Sequence, residues 1–331
     1  MKKERRIDID ILRAIGIVVM IAGHVEFGWG FYKWSHAFHM PLFFIVSGYF
    51  FSRKAAIDTP KEYILRKVKN LLVPYFVISS IVYVAWVLLK HDRPLAEPLI
   101  NILWQNQTGI PIATAIWFLS CLFIMELIFI VMMNTLKKDY YLYGAVLLLA
   151  ISALLWNWKI GIELPWSTVP AIIGLPFYTF GYILKKNNLM SIEKIRKIPI
   201  WLIILVFIMN LICIHWNSSI NMRTGAYGNA ILFYINAIVA TCIIWCISGH
   251  IVNLIKNTRI LRDLSSIGKE SLVYLCTNQA LITVSEMTFG KILKVESLTF
   301  KLVTLVFVFF TSALIIKCLS YGKEIYVRNK R

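Results

Sequence analysis

Residues Asp10–His24 read DILRAIGIVVMIAGH, and a short stretch later Ser35–Phe51 read SHAFHMPLFFIVSGYFF. The first run is apolar and of membrane-spanning character, yet Asp10 and Arg13 lie near one end and His24 near the other. Lipid penalises ionisable groups at such depths, so they usually face a bundle interior and carry function. Arg13 and His24 are eleven positions apart. At about 100° per residue that is close to three turns, so both occupy one stripe, roughly 16 Å apart along the axis. Asp10, three positions before Arg13, is spaced to pair with it. Each residue alone has a plain reading: Arg13 snorkels to headgroups, and His24 is a hydrogen-bonded interior histidine. Both on one stripe, with His36 and His39 just downstream, argue for a site.

Composition supports a membrane setting. Over 331 residues the mean hydropathy is +0.70 and 59% of residues are apolar, above the roughly half of a water-soluble domain. We expect an all-α, polytopic protein forming one integral-membrane domain over residues 1–331. The expected helices cover about 9–29, 38–52, 71–90, 114–135, 140–157, 167–184, 199–215, 229–249, 270–287 and 298–319, ten spans in all. Residues 28–34, with Gly28, Trp29, Gly30 and Trp34, read as a loop, and Pro41 falls in the first turn of the second helix. No cleavable signal peptide is expected, since the first apolar run has no small-residue cleavage site and holds the candidate site. The six cysteines fall in or at the ends of apolar runs without a CxxC and read as packing residues.

The net charge of +18 has its own explanation. With a cytoplasmic N-terminus, the inner segments carry 26 Lys and Arg and the outer ones 8. That asymmetry alternates correctly over ten spans and places both termini in the cytoplasm. The basic charge thus orients the chain and meets anionic lipid, with no need for nucleic acid. Arg13 then lies near the cytoplasm, and His24, His36 and His39 towards the outer side.

Imidazole suits proton transfer and nucleophilic attack because its pKa lies near the working pH. His24 can take a proton or hold a transferred group transiently, and the sequence leaves both open. His39 reads as a second base, an orienter of His24, or a donor to a developing oxyanion. His36 is a weaker, substrate-facing candidate. No Cys or acidic residue accompanies the three histidines in sequence, and no metal site is read from them. Asp8-x-Asp10 spells a DxD, but at the mouth of a membrane helix it is discounted. Glu126, mid-membrane, is expected to pair with Arg13 or a histidine, or to be protonated.

The joined pattern of Asp10, Arg13, His24 (an R-x10-H motif), His39-Met40-Pro41-Leu42-Phe43-Phe44 and Ser47-Gly48-Tyr49 resembles the acyltransferase 3 family of integral-membrane acyltransferases. Its wording is most similar to the fucose 4-O-acetylase-like branch. Weaker matches follow: Arg66-Lys67-x-Lys69 before Leu71-Leu72-Val73-Pro74-Tyr75, Trp117-Phe118-Leu119, Phe180-Gly181-Tyr182, and Ile267 to Tyr274. The resemblance implies an acyl-CoA-dependent O-acetyltransferase of a bacterial cytoplasmic membrane. Acetyl-CoA would be the co-substrate, with no permanently bound cofactor. The acceptor would be a sugar hydroxyl of a cell-surface polysaccharide or its lipid-linked precursor. It implies His24, His39 and Glu126 in catalysis, Arg13, Arg66, Lys67, Lys69 and Ser47 on the donor, and His36, Trp117 and Asn278 on the substrate. Two departures matter. Lys67 and Lys69 stand where arginines are common, giving point charges rather than forks. Asn278 stands where the family commonly has histidine, and an amide cannot serve as a base. An O-succinyltransferase, or a polysaccharide-precursor transporter without acyl transfer, remain the alternative readings.

Overall fold

The computed structural model describes residues 5–89, 92–104 and 110–328. The remaining residues, which carry Lys2, Lys3, Lys90, Lys330 and Arg331 of the charge asymmetry, lie outside the described residues. The described elements are helices: α1 Ile7–His24, α2 Trp29–Tyr49, α3 Arg53–Asp58, α4 Pro60–Lys67, α5 Val73–Leu89, α6 Ala96–Trp104, α7 Trp117–Thr135 and α8 Asp139–Lys159. These are followed by α9 Thr168–Lys186, α10 Ile192–Arg196, α11 Ile200–Trp216, α12 Ala230–Leu254, α13 Arg259–Lys269, α14 Ser271–Thr288 and α15 Leu298–Arg328. A π-helical turn, Val68–Leu72, joins α4 to α5. Among the described residues there is no strand, only an isolated bridge between Asn221 and Ala226.

The bundle is built around α1 and α2. Helix α1 packs on α2, α12, α13 and α14, and α2 packs on α9, α11 and α12 as well. Among the described residues, six stretches are long and apolar enough to cross a membrane: Pro60–Leu88, Thr114–Thr135, Asp139–Lys159, Pro165–Lys186, Ala230–Leu254 and Leu298–Gly322. The other four expected spans are also helices, but α1, α2 and α14 carry more polar residues and α11 has only 17 residues. Protein rather than lipid surrounds α1 and α2, so their ionisable residues meet protein partners. The outer helices show the opposite pattern. Val77, Ile81 and Val84 on α5, Leu147, Leu148 and Ile151 on α8, and Leu302, Val306 and Phe310 on α15 are all exposed. An apolar rim around a partly polar centre is what a bilayer solvent selects.

Glycines set how closely the central helices approach. A Cβ on Gly48 would lie 1.8 Å from the Tyr178 carbonyl oxygen, and one on Gly181 would lie 1.9 Å from that of Ile45. The backbones of α2 and α9 are thus in direct contact, as small residues allow between membrane helices. What Gly48 admits is a backbone rather than a ligand.

Several expected boundaries move: α12 and α15 run on to Leu254 and Arg328, past 249 and 319, and the junction of α1 and α2 shifts. Helix α1 stops at His24 because Glu26 and Gly28 adopt positive φ (62° and 111°), a region in which glycine is at ease and a helix cannot continue. Helix α2 then starts at Trp29, well before 38, so His36 is helical and Pro41 lies inside the helix. There the missing N–H leaves the carbonyl of Ala37 without its usual helical donor.

The foot of α1 is held by ion pairs, which accounts for the DxD. Arg6 makes two bonds to Asp8 (2.8 and 2.7 Å) and reaches the Tyr49 hydroxyl at 2.6 Å and the Met190 carbonyl at 2.7 Å. The Trp245 indole N–H also donates to Asp8, at 2.9 Å. Asp10 pairs with Arg5 (2.8 Å) and with the Ser265 hydroxyl of α13, not with Arg13 as its spacing suggested.

Candidate active site

The three histidines meet at the end of α1 away from these ion pairs. His24 is the last residue of α1, and His36 and His39 lie on one face of α2. Ring centroids are 5.5 Å apart for His24 and His36, 6.2 Å for His24 and His39, and 4.9 Å for His36 and His39. Small residues allow the approach: a Cβ on Gly23 would lie 2.6 Å from the Ser35 hydroxyl oxygen. Helix α2 also orients its own rings. His36 Nδ1 lies 3.0 Å from the Tyr32 carbonyl, and His39 Nδ1 lies 2.8 Å from the Ser35 carbonyl. A carbonyl only accepts, so each Nδ1 carries the proton and each Nε2 keeps a lone pair. Tyr32 stacks on His36 with centroids 3.8 Å apart. One ring nitrogen from each histidine lies within 4.8 Å of the other two, so this trio is also where these side chains could hold a metal ion.

The histidines line a cavity of about 200 Å³ with Tyr32, Thr114, Trp117, Asn221, Arg223 and Gln279. Trp117, at the start of α7, is nearly buried and forms one wall. Gln279 joins α14 to that wall: its side-chain oxygen accepts from the Thr114 hydroxyl at 2.5 Å and the Ala115 N–H at 2.9 Å. Its neighbour Asn278 is fully buried and donates to the Tyr274 and Leu275 carbonyls of its own helix. The cavity lining includes Gln279 and not Asn278. The amide that faces the cavity is therefore one residue beyond Asn278. A second cavity of about 150 Å³, with Glu26, Glu286, Glu296 and Lys301 in its wall, shares His24 with the first.

The cytoplasm-assigned residues divide. Arg13 sits with its guanidinium carbon 5.0 Å from the ring centroid of Phe50, the residue that follows α2, whose last turn holds Ser47. The His24 cavity does not include Arg13; its lining on α1 ends at Met20. Ile17, one turn beyond Arg13 in the interval, is fully buried, so α1 presents no open surface there between Arg13 and this cavity. Lys67 turns inward and pairs with Glu126 at 2.7 Å, whose side chain is 2% exposed. Glu126 thus has a lysine partner rather than Arg13 or a histidine, and it is not in the cavity wall. Arg66 and Lys69 stay exposed on the same segment, Arg66 over Tyr63 at 5.4 Å. Removing one member of a buried pair strands the other charge and costs about 3–5 kcal/mol. Lys67→Met is therefore expected to lower the thermal unfolding temperature sharply, and adding Glu126→Leu to recover most of the loss. Equal unfolding temperatures for wild type and Lys67→Met would show the pair to be idle.

A membrane-embedded bundle with a histidine trio at the end of an R-x10-H helix narrows the family. Residues 6–322 match the acyltransferase domain of the acyltransferase 3 family. The chain belongs to this family. No curated protein and no solved structure matches it. Membership makes this a multi-pass membrane acyltransferase, and nearly the whole chain is the acyltransferase domain. Sequence reasoning missed Tyr32, Arg223 and Gln279 of the acyltransferase's cavity, because none stands in a local motif. In the sequence Arg223 is one of the eight Lys and Arg of the outer segments.

Proposed function

We propose that this acyltransferase moves an acetyl group from cytoplasmic acetyl-CoA to a sugar hydroxyl of a cell-surface polysaccharide or its lipid-linked precursor. The observation that carries this reading is the convergence of His24, His36 and His39 in one polar cavity at the far end of the helix that bears Arg13. His24 is the base that takes the acceptor's proton, or the group that holds the acyl moiety between two transfers. His39 and His36, with Nδ1 tied to carbonyls, present Nε2 to orient His24 or relay its proton. Trp117 walls the acyl group, and Gln279 takes the acceptor amide role first assigned to Asn278. Arg13 grips the donor from the cytoplasmic side, with Arg66 and Lys69 as the exposed cations nearest in sequence to the Lys67 pair. Ile17 fills the interval, so donor binding includes a parting of the helices around α1.

The test is purified protein in nanodiscs with radiolabelled acetyl-CoA and a capsular-type oligosaccharide. Labelled glycan or labelled enzyme supports the reading. Substrate movement across vesicles without acetyl-CoA supports a transporter, and transfer only from succinyl-CoA replaces the donor. Arg13→Ala is expected to raise the donor KM about tenfold, the loss of one charge-assisted hydrogen bond, with kcat little changed. An unchanged donor KM would remove Arg13 from the donor site.

A further inference from the structure

We propose that Arg223 is the acceptor-recognition residue and that it binds an anionic group, a carboxylate or a phosphate, on the sugar acceptor. The proposal rests on the acyl-transfer reading for its word acceptor, but its test reads binding and not transfer.

Arg223 comes from the segment between α11 and α12, and that segment is shaped to hold it. Asn221 and Ala226 exchange backbone hydrogen bonds at 2.7 and 3.0 Å, closing a tight loop around Arg223. At the base, the Asn217 side chain accepts from the Asn229 N–H at 2.7 Å and donates to the Asn229 carbonyl at 3.3 Å. Met222 and Tyr227 are buried on either side of the loop tip. From α8, Asn157 donates to the Gly225 carbonyl at 2.9 Å. A loop held at its base, flanks and tip carries its arginine at a defined position, which is how specificity is built.

The position is informative. Arg223 and Asn221 line the histidine cavity, and Arg223 also lines a small neighbouring cavity that contains Asn157 and Glu163. Among the described residues, Arg223 is the arginine lining the histidine cavity and no carboxylate lines it, while Glu163 lines the neighbouring cavity that Arg223 also borders. Burial pushes that guanidinium below its ordinary value, with Tyr32 and Glu163 acting in the opposite direction. A neutral sugar needs amides and hydroxyls, which Asn221, Gln279, Thr114 and Tyr32 already supply. An arginine added to such a set discriminates for charge, because its planar fork matches carboxylate or phosphate.

The test measures binding in a His24→Ala background, so turnover does not intervene. The probes are a glucuronate-containing tetrasaccharide, glucose 1-phosphate, and a neutral glucose tetrasaccharide. We expect at least one charged probe to bind about tenfold or more tighter than the neutral one. Arg223→Gln should erase that preference and Arg223→Lys should keep part of it, which guards against a variant that merely misfolds. The tighter of the two charged probes identifies the anion as carboxylate or phosphate. Equal affinity for all three probes, no measurable binding of either charged probe, or a preference that survives Arg223→Gln overturns the proposal. Failure of acetyl transfer in wild-type protein would bear on the acyl-transfer reading alone.

Discussion

His24→Ala is expected to reduce acyl transfer by about 10²–10⁴-fold while leaving yield and thermal stability close to wild type. The factor is that of a positioned acid–base group. Stability should hold because His24 is the terminal residue of α1, half-buried, and shares two cavities. Truncating it enlarges space already open instead of emptying a packed core. The decisive measurement is single-turnover transfer from labelled acetyl-CoA in nanodiscs. Wild-type turnover in the variant would remove His24 from the chemistry. Label retained on wild-type protein but absent from His24→Ala would favour the acyl carrier over the direct base. His39→Ala should fall less, because its Nδ1 is already committed to the Ser35 carbonyl and only Nε2 is left to serve.

The second large effect is structural. Gly181→Ala or Gly48→Ala should lower stability by more than about 3 kcal/mol, or abolish a monodisperse fold, because an added methyl must displace main chain. Neither contact has a flexible partner: the atom met is the Ile45 carbonyl in one case and the Tyr178 carbonyl in the other. Gly144→Ala on α8 is the control. Nothing lies within 4 Å of its Cβ, and alanine outranks glycine in a helix by about 1 kcal/mol, so a small gain is expected there. Thermal unfolding in detergent compares the three. If Gly181→Ala melts with wild type, α2 and α9 are not in backbone contact.

Much of the fold was readable because apolar runs of helical length are a strong local signal. The spans expected at α7, α8, α9, α11 and α14 lie within three residues of the observed helices. The beginning of α2 was not readable. Gly28, Trp29, Gly30 and Trp34 look like an interfacial loop, and only the positive φ at Glu26 and Gly28 confines the turn to four residues. Helix α13 is not among the ten expected spans, and Arg259, Arg262 and Lys269 make it basic. Yet Leu261, Ser265 and Gly268, at spacings of four and three, form the buried face that packs on α1, and that periodicity was present in the chain. The candidate site divides the same way. Arg13, His24, His36 and His39 lie within a single local pattern and could be found together. Arg223 and Gln279 reach the cavity from loops and helices nearly two hundred residues away or more, and no spacing announces them. Glu126 was correctly marked as needing a partner, but which cation would meet it depends on the π-helical turn after Lys67, a tertiary choice.

The ion pairs at the foot of α1 bear on how this enzyme can move. Arg6 ties together Asp8, the Tyr49 hydroxyl and the Met190 carbonyl, while Trp245 holds Asp8 from α12. A rod fastened to three neighbours at its base cannot slide along its axis without breaking all of them at once. It can still tilt. A tilt of α1 therefore pivots about Asp8, and leverage along the rod makes the imidazole end travel farthest.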